Sequence, residues 1–366
     1  MSEKKKWKIA GIEFSHMHMG DLLHCVDRHP NAEIVGICDP QAERMLEAKD
    51  AFQLSDSQVF TDDKQCLEQT KPDMVILCPP TAEHATWVER IAPYDVHVFV
   101  EKPFAGSLEE ADRMIAAMAG TGKELIINWP LRWVESHFTA HRLIREGLIG
   151  EVIELHYYDG NRGPLYHGAD KIEKEPSAEA KQDSWWYKKE ADGGSLRDYL
   201  GYGTTLGTWF NGGKIPDEVT AIATGAAGLE VDEHSVTVAR YGAHLSKFET
   251  RWGTFTDPWT HQPQPKCGFV IRGTDGTISS YDYEKTVFVQ TRANPGGYEH
   301  SVDSLPESES NGIEYSLKRI EAGLPIEGPL SPEMARIGQQ IADAAIRSSE
   351  EGRTVKLSTH SSEPQS

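Results

Sequence analysis

Short apolar runs alternate with stretches of helical spacing through the first third of the chain. Trp7–Ile12, Glu33–Cys38, Met74–Cys78 and Val96–Val100 read as strands. Between them, apolar residues recur at helical intervals over His18–Arg28, Gln41–Phe52 and Glu83–Ala92. Strands separated by helices predict a parallel sheet with crossover helices. Ser107 opens a further helix. Its hydroxyl can cap, Glu109 and Glu110 fall in the first turn, and Leu108, Ala111, Met114, Ile115 and Met118 make one apolar face. Gly120 and Gly122 end it.

Past Ile126-Ile127 the pattern changes. A short helix over Phe138–Arg145 stops at Gly147, and Glu151–Tyr158 begins a series of strands without helices between them. The series continues through Glu218–Thr224, His234–Arg240, Leu245–Trp252, Gly268–Arg272, Thr277–Tyr281 and Thr286–Gln290, with a hairpin turn at Gly273-Thr274-Asp275-Gly276. Residues 159–183 are polar and aperiodic, a length that suits a functional loop. The expected architecture is an α/β Rossmann-type parallel sheet over 1–127. An α+β domain with a large, mostly antiparallel open sheet follows over 128–366. Its closing helix, 332–348, is placed to pack back toward the first domain.

Composition narrows the class. A chain of 366 residues suits two cores rather than one. Its 57 acidic against 37 basic residues give a net charge of −20, which disfavours a nucleic-acid or anionic membrane surface. No apolar stretch approaches the roughly 20 residues that span a bilayer. Lys4-Lys5-Lys6 leads straight into the first strand without a signal-peptide apolar region. Five cysteines, an odd set with no Cys-x-x-Cys spacing, argue for reduced thiols and a cytoplasmic setting. On a helix His16 and His18 diverge, and neither they nor His24 show metal-ligand spacing with a carboxylate, so no metal is expected.

The candidate chemistry sits at strand ends. Glu101-Lys102-Pro103 follows Val96–Val100 directly, which places a lysine at the carboxyl edge where open α/β sheets keep their ligands. Gly11-Ile12-Glu13-Phe14-Ser15-His16 stands where a dinucleotide fingerprint belongs, yet Glu13 and His16 occupy the second and third glycine positions. Gly11, Phe14, Ser15 and His16 are the cofactor candidates of that turn. Asp39 ends the second strand and can accept both ribose hydroxyls of NAD while repelling a 2′-phosphate. Only Pro40 and Gln41 follow it, with no arginine, so NAD is expected over NADP. Pro79, Thr81 and His84 mark the next strand end. Farther on, Asp192-Gly193-Gly194-Ser195-Leu196-Arg197-Asp198 leads into a helix on which Asp198 and Tyr202 share a face. Gly201, Gly203 and Gly207 weaken that helix, so a neighbouring backbone or a ligand approaches it closely.

Glu-Lys-Pro after a Rossmann-like half, joined to Gly-Gly-x-Leu-x-Asp and an antiparallel second domain, resembles the Gfo/Idh/MocA oxidoreductases from about Lys8 to Leu357. The resemblance implies NAD(P)-dependent oxidation or reduction at a sugar or cyclitol hydroxyl, often in a homo-oligomer joined through the open face of the second sheet. It makes Lys102 the catalytic lysine, Asp198 the substrate-orienting aspartate, and Arg132 and Glu101 cofactor-side residues. Where the family usually carries a histidine, four residues beyond that aspartate, this chain has Tyr202. A phenol of reference pKa about 10 serves as base when a cation such as Lys102 lowers it. The expected substrate is a pyranose or glycoside oxidised at a secondary hydroxyl such as C3. Tyr158, Trp185 and Trp186 would supply aromatic faces, and Asn161, Arg162 and His167 polar contacts. Two other outcomes stay open: redox-assisted glycoside cleavage with retained NAD, and a non-catalytic sugar- and NAD-sensing regulator.

Overall fold

A computed structural model of the chain describes residues 6–166, 176–306 and 309–357. Two compact units emerge, each built from three segments. Met1–Trp133, Pro164–Gly193 and Leu305–Arg336 form the first; Val134–Gly163, Gly194–Ser304 and Ile337–Ser366 form the second. The single passage near residue 127 suggested by the sequence is corrected: the chain returns to the first unit twice. Packing decides this: Trp186 of the first returning segment meets His16, and Ala335 of the second lies in the apolar core of the parallel sheet.

The first unit is a six-stranded parallel sheet. Its strands are β1 (Trp7–Ile12), β2 (Ala32–Cys38), β3 (Val59–Phe60), β4 (Met74–Leu77), β5 (His97–Val100) and β6 (Leu125–Ile127), in the order β3-β2-β1-β4-β5-β6. Every residue of β4 and β5 is buried, as the continuous apolar runs require of strands covered on both faces. Strand order reverses between β1 and β4, which opens a crevice at their carboxyl ends. The crossover helices are α1 (His18–Arg28), α2 (Leu46–Ala51), α3 (Asp63–Thr70), α4 (His84–Ile91) and α5 (Leu108–Met118). Ser107 caps α5 as expected, accepting from the Glu110 N–H.

The second unit holds α6 (Glu135–Arg145) and β7 (Val152–Asn161). The polar stretch that reads as one loop is divided: β7 continues to Asn161, and α7 (Ala178–Asp183) lies in the first unit, capped by Ser177. Next come α8 (Ser195–Phe210), β8 (Glu218–Thr224), β9 (His234–Tyr241), β10 (His244–Trp252), β11 (Gly268–Gly273), β12 (Gly276–Tyr281), β13 (Thr286–Thr291) and β14 (Tyr298–Ser301). After them, α9 (Gly312–Glu321) rejoins the first unit. There His29 reaches Glu314 at 3.5 Å, and Trp7 donates to Glu321 at 2.8 Å. α10 (Pro332–Glu351) and β15 (Val355–Lys356) close the chain.

The nine strands run β14-β13-β12-β11-β7-β10-β9-β8-β15, with β7 and β10 parallel and the other neighbours antiparallel. Leu155 and Tyr157 of β7 face α8, whose glycines admit them. A β-carbon on Gly203 would lie 2.5 Å from the Tyr157 ring, and one on Gly207 3.1 Å from Leu155. Close helix–sheet packing therefore accounts for these two glycines. Ile222, Val270 and Phe288 stand exposed on the sheet.

Candidate active site

The turn after β1 is held from two directions. Glu13 donates its N–H to Cys38 O and His16 to Cys78 O, so the loop spans the ends of β2 and β4. Gly11 lets α1 close on β1, since a β-carbon there would lie 2.9 Å from Met19 Sδ. Glu13 takes the left-handed conformation at φ 66°, the backbone a glycine fingerprint normally supplies. Its side chain is buried, and its pKa is raised to about 7, first by burial and then by Asp39 and Glu83. An uncharged Glu13 removes much of the repulsion that a carboxylate would exert on a pyrophosphate.

Asp39 is fully buried. Oδ2 accepts from the Phe14 N–H and Oδ1 from the Gln41 N–H, each at 2.8 Å. Each oxygen keeps a second lone pair for a ribose hydroxyl. Arg44 Nη1 lies 3.6 Å from Oδ2 and donates to Ser15 Oγ at 2.8 Å, so an arginine does stand beside Asp39, five positions on rather than adjacent.

Glu101, at the end of β5, has no exposed surface. His18 Nδ1 lies 2.8 Å from its Oε1, and Asn128 donates to Oε2 at 2.6 Å. Burial alone would raise its pKa, but His18, Lys102 and Asn128 outweigh it and hold the carboxyl below its ordinary value. Lys102 is 6% exposed, with Nζ 5.9 Å from the centroid of the Trp186 ring. Trp185 and Trp186 stack at 3.8 Å, and Trp185 donates its indole N–H to Ser15 O at 3.1 Å. His16 meets Trp186 edge-on at 4.7 Å. The first unit thus gathers Ser15, His16, Glu101, Lys102, Trp185 and Trp186.

His16 and His18 do not diverge. α1 begins only at His18, so His16 belongs to the preceding turn, and the two rings lie 4.4 Å apart. One ligand-capable atom from each of His16, His18 and Glu101 falls within 4.8 Å of the others, a grouping the chain's spacing did not reveal. His24 instead packs on Phe52. His84 is buried between Pro79 O and Phe104 O, and burial lowers its pKa. Thr81 is buried beside it in sequence, and the Arg132 guanidinium lies over the Tyr315 ring at 4.5 Å.

In the second unit, Asp198 and Tyr202 are buried on α8. Asp232 fixes the start of this helix, accepting the Leu196 N–H at Oδ2 and the Ser195 N–H at its carbonyl. Tyr199 packs edge-on against Tyr202 at 5.5 Å, and Asn161 donates to the Tyr199 hydroxyl. Arg162 clamps the buried Asp257 at 2.9 and 2.6 Å, so its guanidinium anchors a loop. Tyr158 alternates with Tyr157 and therefore faces away from α8, which corrects its grouping with Asp198. His167 lies outside the described residues. Arg44, Asn128 and Asp232 were missed from the sequence, and His18 was weighed there only as a metal ligand, because only folding brings each to its partner.

Residues 5–129 match a family model described as the oxidoreductase family, NAD-binding Rossmann fold, and residues 137–279 match the GFO/IDH/MocA C-terminal domain. The chain belongs to the Gfo/Idh/MocA family, and NAD is the cofactor of its first sheet. It is 27% identical over 267 residues to 2,7-anhydro-N-acetylneuraminate hydratase of Escherichia coli K12, covering 70% of this chain and 63% of that protein. It is 31% identical over 137 residues to D-apiose dehydrogenase of Paraburkholderia graminis, covering 37% and 35%. The chain thus spans less than two thirds of the length of either relative. Its fold matches the aldose-aldose oxidoreductase of Caulobacter crescentus complexed with glycerol at a TM-score of 0.77, with 17% identity, covering 96% of this chain and 100% of that one. No helix among the described residues is long and apolar enough to cross a membrane.

Proposed function

We propose that this chain is an NAD-dependent dehydrogenase of a pyranose sugar or glycoside, oxidising a secondary ring hydroxyl such as that at C3. The carrying observation is Lys102, an ammonium kept 6% exposed beside a fully buried carboxylate at the end of β5. The residues present suit the cofactor. Asp39 retains acceptor capacity for ribose, and the Glu13 carboxyl, its pKa raised to about 7 by burial, keeps much of its proton at neutral pH. When bound, NAD⁺ accepts the hydride from the carbon bearing the hydroxyl.

In this reading the Lys102 ammonium binds the reacting oxygen, the Tyr202 phenol takes its proton, and Asp198 orients a neighbouring hydroxyl. The Trp185–Trp186 stack offers a flat surface to the apolar face of the sugar. Dehydrogenase and hydratase relatives acting on sugars and sugar acids support the substrate class. The exposed side chains Ile222, Val270 and Phe288 support a homo-oligomer joined through the nine-stranded sheet, and a net charge of −20 supports partners other than nucleic acid or an anionic membrane. The cytoplasm is the compartment proposed. No observation favours redox-assisted cleavage or a non-catalytic sensor over this reading.

NADH formation measured across a panel of pyranoses and alkyl glycosides tests the proposal. Lys102→Ala and Tyr202→Phe are each expected to lower kcat about 10²–10⁴-fold, the range for lost proton-transfer groups. Unchanged turnover in Tyr202→Phe rejects that residue as the base. Absence of NADH with every sugar rejects the dehydrogenase.

A further inference from the structure

His16 is 2% exposed, and its Nε2 has no hydrogen-bond partner among the described residues. Leaving a buried polar atom in this state is costly, so it is ordinarily satisfied by a partner. The nearest acidic atom, Glu101 Oε1, is 4.0 Å away, beyond hydrogen-bond range, and His18 Nδ1 lies 2.8 Å from that same oxygen.

The other ring nitrogen decides what Nε2 is. His16 Nδ1 accepts the backbone N–H of His18 at 3.1 Å. An imidazole nitrogen that accepts carries no proton, so in the neutral ring the proton sits on Nε2. Burial, and then the neighbouring His18, Lys102 and His84, hold the His16 pKa well below its ordinary value. The same tautomer argues against a metal held by His16, His18 and Glu101, because a coordinating Nε2 would have to be free of its proton.

We infer that His16 is a fixed neutral hydrogen-bond donor, its Nε2–H presented to an oxygen of the ligand that binds beside Glu101 and Lys102. The inference rests on the proposed dehydrogenase reading and adds to it a ligand contact from the glycine-poor turn. Two oxygens share the required chemistry: a carboxamide or ribose oxygen at the nicotinamide end of NAD, and the reacting oxygen of the sugar. A neutral imidazole N–H polarises a carbonyl and stabilises an alkoxide without giving up its proton. At the second oxygen His16 would supply a further neutral donor at the reaction centre, beside the Lys102 ammonium.

Long-range ¹H–¹⁵N correlation of the imidazoles in the free protein tests the tautomer without any ligand, with His16→Phe assigning the signal. Protonated Nε2 and bare Nδ1, unchanged down to about pH 5.5, are expected. A bare Nε2, a cationic ring at pH 6, or stoichiometric Zn²⁺ binding that is lost in His16→Phe would overturn the inference. NAD⁺ titration and sugar kinetics then separate the two oxygens. For a cofactor oxygen, His16→Phe raises the Kd of NAD⁺ about tenfold, and His16→Gln, which keeps a donor amide, restores it. For the sugar oxygen, the Kd is unchanged while kcat/KM falls about 10²-fold, again restored by Gln. Neither quantity moving in His16→Phe overturns the contact. Wild-type protein that binds no NAD⁺ instead refutes the dehydrogenase reading, while the resonances still report on His16.

Discussion

Phe14 donates its backbone N–H to Oδ2 of Asp39 across 2.8 Å, tying the turn after β1 to the end of β2. The carboxylate thus shapes the cofactor loop as well as offering lone pairs to a ribose. Asp39→Ala strands the N–H groups of Phe14 and Gln41 and removes the negative charge from beside Arg44. The Kd of NAD⁺ is expected to rise at least about tenfold, within the 1.5–3 kcal/mol typical of hydrogen bonds to charged groups. The ratio of NADP⁺ to NAD⁺ affinity is expected to rise, since Arg44 becomes available to a 2′-phosphate. Calorimetric titration with both dinucleotides measures the two changes, and an unaltered ratio would show that Arg44 takes no part.

Glu13 makes both stability and cofactor affinity depend on pH. Its carboxyl ionises near 4.5 in the unfolded chain and at about 7 in the folded one. Between those values the unfolded state has lost the proton and the folded state has kept it. Folding stability therefore falls as pH rises from about 4.5 to 7, by about 3 kcal/mol at most, and levels off above. Urea denaturation at pH 5 and pH 8 should show a larger drop in wild type than in Glu13→Gln. Affinity for NAD⁺ should weaken above pH 7 in wild type and less in the variant.

Gly193 sits under the two tryptophans. A β-carbon there would lie 2.2 Å from the Trp186 carbonyl oxygen and 2.8 Å from that of Trp185, both backbone atoms that cannot swing aside. Gly193→Ala is expected to cost about 1–3 kcal/mol and to displace the stacked pair. Near-ultraviolet circular dichroism, which senses paired indoles, should lose amplitude before any change in the far-ultraviolet spectrum. An unchanged aromatic signal would mean that the turn tolerates the shift.

Asp232 caps the helix that carries Asp198 and Tyr202. Burial raises its pKa to about 6. Asp232→Ala should destabilise the fold by about 1–2 kcal/mol, the usual worth of such a cap. Asp232→Asn keeps an acceptor and sheds the titration. The wild-type decline in stability between about pH 4 and 6, as the carboxyl charges in the unfolded chain first, should flatten in this variant. Thermal unfolding over that range is the measurement.

Elements with a strong period were legible and weak ones were not. Met74–Leu77 and His97–Val100 are unbroken apolar runs because helices cover both faces of the sheet. α3 reads Asp-Lys-Gln-Cys-Leu-Glu-Gln-Thr and shows the core only Cys66 and Leu67 of its apolar residues, too little pattern to notice. β3 is two residues long, and it exists because β2 is there to pair with it. Lys102 and Asp39 stood out because strand ends are visible in a sequence. The partners of Glu101 did not, since His18 lies 83 positions away and Asn128 27. The alternation along β7 was misread at Tyr158 because nothing in the chain said which of two neighbouring tyrosines α8 would cover.

Because Trp185 and Trp186 belong with the first unit although they lie fifty residues past its first segment, this chain cannot be halved by a single cut. A hybrid that took residues 1–133 from a relative and the remainder from here would inherit a nucleotide turn from one parent and the indole roof over it from the other. The ring pair His16 and Trp186 is then expected to change together through descent, whereas any residue at position 15 supplies the carbonyl that Trp185 meets, so gene exchange in this lineage should favour breakpoints that keep His16 and Trp186 in one piece of DNA.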